Sequence, residues 1–203
     1  SGYYLSDKLD NPTKWEVPAG TILPPNGYFQ VWASSRDQFD GTRWHTNFKI
    51  TQTQNNEAVV LANAAGNILD SHELDIPNQA GHSRGRFPDG GNEWYVFVNP
   101  SPNATNSDAR PEYAAKPSIQ PAAGFYAGGT EISILVGDPG ATVYYTVDGS
   151  TPSNTSTLYT GPFTINATTV VKAITYNDDS SVPHSFVDYQ TFFIDETFSI
   201  PTI

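Results

Sequence analysis

Four histidines, His45, His72, His82 and His184, are the side chains best suited to move protons near neutral pH or to hold a transition metal. No two of them stand at a metal-ligand spacing, and no His-Glu-x-x-His stretch occurs. Asp70-Ser71-His72-Glu73 gathers four polar groups. A strand would send Asp70 and His72 to one face and Ser71 and Glu73 to the other, so the stretch reads as a solvated strand face. Gly81-His82-Ser83-Arg84-Gly85 lacks the strand-to-helix setting of a nucleophile elbow. It reads as a loop in which Arg84 or Arg86 pairs with a carboxylate such as Asp89. Paired carboxylates can hydrolyse glycosides, and Asp178-Asp179 and Asp195-Glu196 are such pairs. Adjacent carboxylates in a turn, however, stay exposed and ionised. Asn177-Asp178-Asp179 offers oxygens for Ca²⁺ without the rest of a binding loop. The sequence therefore predicts no catalytic residue, no metal ligand and no cofactor.

Aromatic rings are the remaining candidate chemistry, since an exposed ring can stack on a sugar. Trp32 and Trp94 fall in predicted strands and read as core. Trp15 and Trp44 fall in loop-like stretches and are the better stacking candidates. In Thr142-Val143-Tyr144-Tyr145-Thr146-Val147 a regular strand turns one of the two tyrosines outward, and Tyr145 is the third candidate. Packing is the competing use of all these rings, because thin sandwiches rely on large aromatics.

The elements that must position them are all strands. Apolar runs are short, rich in β-branched and aromatic residues, and bounded by Gly, Pro, Asn and Asp. Strands are predicted at 28–33, 58–62, 68–74 and 94–98. The turn Asn63-Ala64-Ala65-Gly66-Asn67 joins the second and third of these as a hairpin. Residues 99–117 have almost nothing to bury and include four prolines, Pro100, Pro102, Pro111 and Pro117. A boundary is expected there. Strands resume at 131–136, 142–147, 162–165, 168–176 and 186–194. The expected fold is all-β, as two tandem sandwiches over 1–106 and 117–194, with a linker at 107–116.

Composition narrows the function further. The net charge is −11, from 10 basic and 21 acidic residues, so nucleic acid would be repelled unless a basic patch existed, and none is visible. Both halves are acidic: residues 1–110 hold 8 basic and 12 acidic groups, and 111–203 hold 2 and 9. No run reaches transmembrane length. The absence of Cys removes disulfides and thiol chemistry. With no Met, the chain reads as a piece or processed form of a longer protein.

Two resemblances follow from ordered motifs. Gly2-Tyr3-Tyr4-Leu5-Ser6-Asp7, Asn11-Pro12-Thr13-Lys14-Trp15, Gly27-Tyr28-Phe29-Gln30-Val31-Trp32-Ala33-Ser34, His45-Thr46-Asn47-Phe48-Lys49-Ile50 and Gly85-Arg86-Phe87-Pro88-Asp89-Gly90 together resemble the lamin-tail domain, an immunoglobulin-like sandwich. That resemblance implies a first strand ahead of Ser1, without which a sheet edge would stand open. Pro121-Ala122-Ala123-Gly124-Phe125-Tyr126, Pro139-Gly140-Ala141-Thr142-Val143-Tyr144-Tyr145-Thr146, Asp148-Gly149-Ser150-Thr151-Pro152 and Ser156-Thr157-Leu158-Tyr159-Thr160-Gly161-Pro162 resemble the chitobiase/β-hexosaminidase C-terminal domain, a second immunoglobulin-like sandwich. The tail, residues 195–203, is weakly similar to the start of CotH-type kinase domains.

These resemblances imply non-catalytic interaction or spacer modules of an exported bacterial protein, extracellular or at the cell surface. One alternative is a carbohydrate-binding accessory module; another is the N-terminal part of a protein with a downstream kinase-like domain. The partners implied are a polysaccharide or a cell-surface protein, together with that downstream domain. A nuclear lamin role is opposed by the missing heptads.

Overall fold

The computed structural model describes residues 2–52 and 56–197. Every regular element among them is a β-strand. The chain divides into two compact units: Ser1–Asn92 with Asn99–Ser107, and Glu93–Val98 with Asp108–Ile203.

The first unit contains β1 (Tyr3–Ser6), β2 (Trp15–Glu16), β3 (Val31–Trp32), β4 (Gln38–Phe39), β5 (Trp44–His45), β6 (Ala58–Asn63), β7 (Ile68–Glu73) and β8 (Ser83–Arg86). One sheet runs β2-β1-β6-β7 and a smaller one β3-β5-β4. The 63–67 hairpin forms as expected: the Asn63 side-chain oxygen accepts the Ala65 and Asn67 N–H groups, and Gly66 takes φ +79°. Along β6, Ala58, Val60 and Ala62 are buried while Val59 is exposed, the two-residue period of a half-buried strand. Ser6 lies opposite Val60 and is also buried. Its hydroxyl donates to the Asn11 carbonyl at 2.7 Å and accepts the Lys8 N–H, which removes the cost of an unpaired buried oxygen. The other face of β1 and β2 supplies Leu5 and Trp15 to a core with Val17 and Phe48. The sheet's edges are β2 and β7, and Ile68 and Leu69 on β7 are exposed. The strand expected over 28–33 shrinks to Val31–Trp32.

The second unit contains β9 (Trp94–Phe97), β10 (Ser118–Gln120), β11 (Gly124–Tyr126), β12 (Thr130–Leu135), β13 (Ala141–Thr146), β14 (Thr157–Leu158), β15 (Phe163–Ile165), β16 (Thr169–Asn177) and β17 (Asp188–Ile194). A five-stranded sheet, β11-β17-β16-β13-β14, packs against a three-stranded one, β10-β12-β15. The inner faces follow the alternation. Ile119, Ile132, Ile134 and Ile165 come from the small sheet, and Val143, Val171, Ala173 and Phe192 from the large one. Ser118, Gln120, Glu131 and Ser133 point the other way, so the outer face of the small sheet is polar. This is the immunoglobulin-like sandwich that the strand spacing predicted. Val96 on β9 exchanges both backbone hydrogen bonds with Arg110.

Candidate functional site

The four tryptophans do not sort as their local sequence suggests. Trp15, a stacking candidate, is 6% exposed and packs in the first core, so its indole presents no face to solvent. Its strand is two residues long, too short to show a period, and pairing with Leu5 turns the ring inward. Trp44 is half-buried against the same core, with Phe39 tilted over it at 4.7 Å. Trp32, expected inside, is 43% exposed. Trp94 is half-buried.

Tyr145 fares differently. On β13 it shares the inner face with Val143, opposite the buried Ala173, while Tyr144 turns outward against Tyr176. Tyr145 is half-buried, packed against the second core. Its ring stacks on Phe163 of the opposite sheet, with centroids 4.4 Å apart and planes 18° from parallel. Tyr159 meets it edge-on at 6.3 Å. Tyr159 is itself fixed, since its hydroxyl accepts the Ile134 N–H at 3.0 Å.

Beside this aromatic group lies an open pocket of about 500 Å³, lined by Tyr145, Phe163, Thr157, Thr164, Asn166 and Thr169 among others. Thr157, Thr164 and Asn166 are exposed. Apolar ring surface next to hydroxyl and amide groups is the composition of a site that takes a ligand with one apolar face and a polar rim. Gly129 keeps the rim in place: a Cβ there would stand 2.6 Å from the Asn166 Oδ1. The strand pattern of 142–147 requires one outward tyrosine, and that is Tyr144; Tyr145 faces inward and lines the pocket from there. Phe163, Tyr159 and the threonines come from other segments, and only the packing of β13 against β15 brings them together.

The other chemistry-bearing groups serve the fold. Asp179 accepts the Ser181 N–H at 2.8 Å, which holds its carboxyl below the ordinary value. Asp195 accepts the Gly128 N–H, and Glu196 accepts the Thr168 hydroxyl. Arg86 pairs with a carboxylate, that of Asp70, and Asp89 accepts the Tyr28 hydroxyl and the Asn106 N–H. The stretch Gly81–Gly85 does spell Gly-x-Ser-x-Gly, yet Ser83 opens strand β8 and no helix follows it among the described residues.

One constellation escaped the sequence reading. Ser34 Oγ lies 2.8 Å from His45 Nδ1, and Asp40 Oδ2 lies 3.0 Å from His45 Nε2. A carboxylate only accepts, so Nε2 carries the proton, and in the neutral ring Nδ1 accepts from the Ser34 hydroxyl. The imidazole is 4% exposed, and Asp40 Oδ1 accepts the Thr42 and Arg43 N–H groups. The three residues tie the end of β3 to the turn between β4 and β5. Ser34, just beyond β3, and His45, on β5, are eleven positions apart, so no local motif announces the arrangement.

Residues 121–185 match the family model of the chitobiase/beta-hexosaminidase C-terminal domain, a carbohydrate-associated, non-catalytic accessory module. The matched stretch contains the whole Tyr145 pocket rim named above. No curated protein and no solved structure matches the chain. No helix among the described residues is long and apolar enough to cross a membrane.

Proposed function

We propose that the chain is a non-catalytic accessory segment of an exported multi-domain protein, and that its second module contacts polysaccharide through the Tyr145 pocket. The observation that carries this reading is the stacked Tyr145–Phe163 pair beside exposed Thr157, Thr164 and Asn166, inside the stretch matched to a carbohydrate-associated module. Ring faces suit the C–H face of a sugar, and the hydroxyl and amide groups suit its rim. The pocket is open, as a site for one sugar of a long chain must be.

The first module, of lamin-tail type, extends over 1–106 apart from Glu93–Val98, and the second over 117–194. They hold a downstream domain, of CotH-like kinase type, near its target outside the cell or at its surface. Of the 195–203 tail that suggests this domain, residues 198–203 lie outside the described residues.

The test is retention of the intact chain on a panel of immobilised neutral polysaccharides. At least one should retain it, and Tyr145→Ala should weaken that retention tenfold or more. Failure to bind any of them, or an unchanged Tyr145→Ala protein, removes the pocket from the proposal. Turnover of any substrate in a hydrolase panel would overturn the non-catalytic reading.

A further inference from the structure

We infer that the first unit carries a second glycan site, independent of the Tyr145 pocket, in which Trp32 and Arg43 take a sugar ring bearing a carboxylate. The small sheet β3-β5-β4 has two rows of side chains. Val31, Trp44 and Phe39 form one row, and Val31 and Trp44 pack on the core. Trp32, His45 and Gln38 form the other row, in which His45 is buried and Trp32 is 43% exposed. Part of the indole stays wet there, and such surface favours a partner with an apolar face.

Arg43 supplies the charge. Its guanidinium carbon lies 4.8 Å from the Trp32 ring centroid, within cation–π range. The backbone beneath it is held firmly. Asp40 Oδ1 accepts the Arg43 N–H at 2.7 Å, the Asp40 N–H donates to the Arg43 carbonyl, and Gly41 at φ +94° closes the turn. The Asp40 carboxylate accepts from the Thr42 and Arg43 N–H groups and faces His45 Nε2, and it forms no ion pair with the Arg43 guanidinium. Under Trp32 the row is rigid, because His45 is fixed at both ring nitrogens. A guanidinium fork matches a carboxylate in geometry as well as charge. Held over one face of a partly exposed indole, it selects a sugar ring that carries its own carboxylate, the chemistry of a uronate-containing polysaccharide.

The experiment titrates the full chain with an oligogalacturonate and, separately, with a neutral glucose oligomer of equal length, followed by calorimetry. Binding of the uronate oligomer is expected, weakening as salt rises. Trp32→Ala and Arg43→Ala should each lower its affinity tenfold or more, Arg43→Lys by several-fold, and Tyr145→Ala should leave it unchanged. Circular dichroism confirms that each variant is folded; if Trp32→Ala is not, the two Arg43 variants decide alone. No uronate binding, neutral-oligomer binding that Trp32→Ala or Arg43→Ala weakens as much as uronate binding, loss of uronate binding on Tyr145→Ala, or an unchanged Arg43→Ala protein overturns the inference. A sulfated oligomer that binds where the uronate does not would overturn the carboxylate assignment.

Discussion

Asp188 and Lys116 form an ion pair at 2.8 Å at the entrance to the second sandwich. Asp188 is 7% exposed on the inner face of β17, and its other oxygen accepts the Ile119 N–H at 3.0 Å. One carboxylate therefore anchors both the segment leading into β10 and β10 itself. The two partners are unequal, because the Lys116 side chain is 52% exposed. Asp188→Ala leaves a buried N–H without a partner and should destabilise the unit by about 2–3 kcal/mol. Lys116→Ala leaves the buried carboxylate without its cation but keeps its hydrogen bond from Ile119, and should cost less, about 1–2 kcal/mol. Urea unfolding of both variants checks this; equal losses would mean that the ion pair, rather than the hydrogen bond to Ile119, does the anchoring.

Trp15 and Trp32 should separate cleanly. Trp15→Ala opens a cavity in the first core and should cost about 3–5 kcal/mol. Trp32→Ala removes a half-solvated ring and should cost about 1 kcal/mol or less. Iodide quenching should also lose amplitude on Trp32 replacement and keep it on Trp15 replacement in any variant that stays folded. The reverse pattern would contradict the pairing of Trp15 with Leu5.

Asp40 should impose a pH limit on the turn that carries Arg43. Its carboxyl is held at about 2, against an ordinary 3.8, first by the hydrogen bond from His45 and then by the Thr42 and Arg43 N–H groups. The folded-state value is depressed, so the stabilisation is complete above the ordinary value and is lost as pH falls through about 2. Asp40→Asn should lower the melting temperature at pH 6, with the difference shrinking below pH 4. Carbon-detected NMR of the Asp40 carboxyl gives the direct check: a midpoint near the ordinary aspartate value would sink the network.

Gly129→Ala should act on the pocket more than on the fold. The added methyl would stand 2.6 Å from the Asn166 Oδ1 and 3.2 Å from the Thr164 methyl, and the exposed amide can swing aside. Stability should change by under about 1 kcal/mol. Polysaccharide retention should fall several-fold if Asn166 belongs to the binding rim. Unchanged retention would remove Asn166 from it.

The sequence by itself determined the all-β class, most strand positions and the hairpin at Asn63–Asn67, because these are set by local periodicity and turn chemistry. Alternation along 58–62 and 131–136 names the buried face wherever a strand is long enough to repeat. Only the tertiary structure decided what each aromatic does. β2, β3 and β5 are two residues long, so Trp15, Trp32 and Trp44 carry no readable period, and their faces are set by which strand pairs beside them. The same holds for Ser34, His45 and Asp40, and for Tyr145 and Phe163. Their proximity is created by strand register and sheet packing, which residue spacing along the chain does not encode.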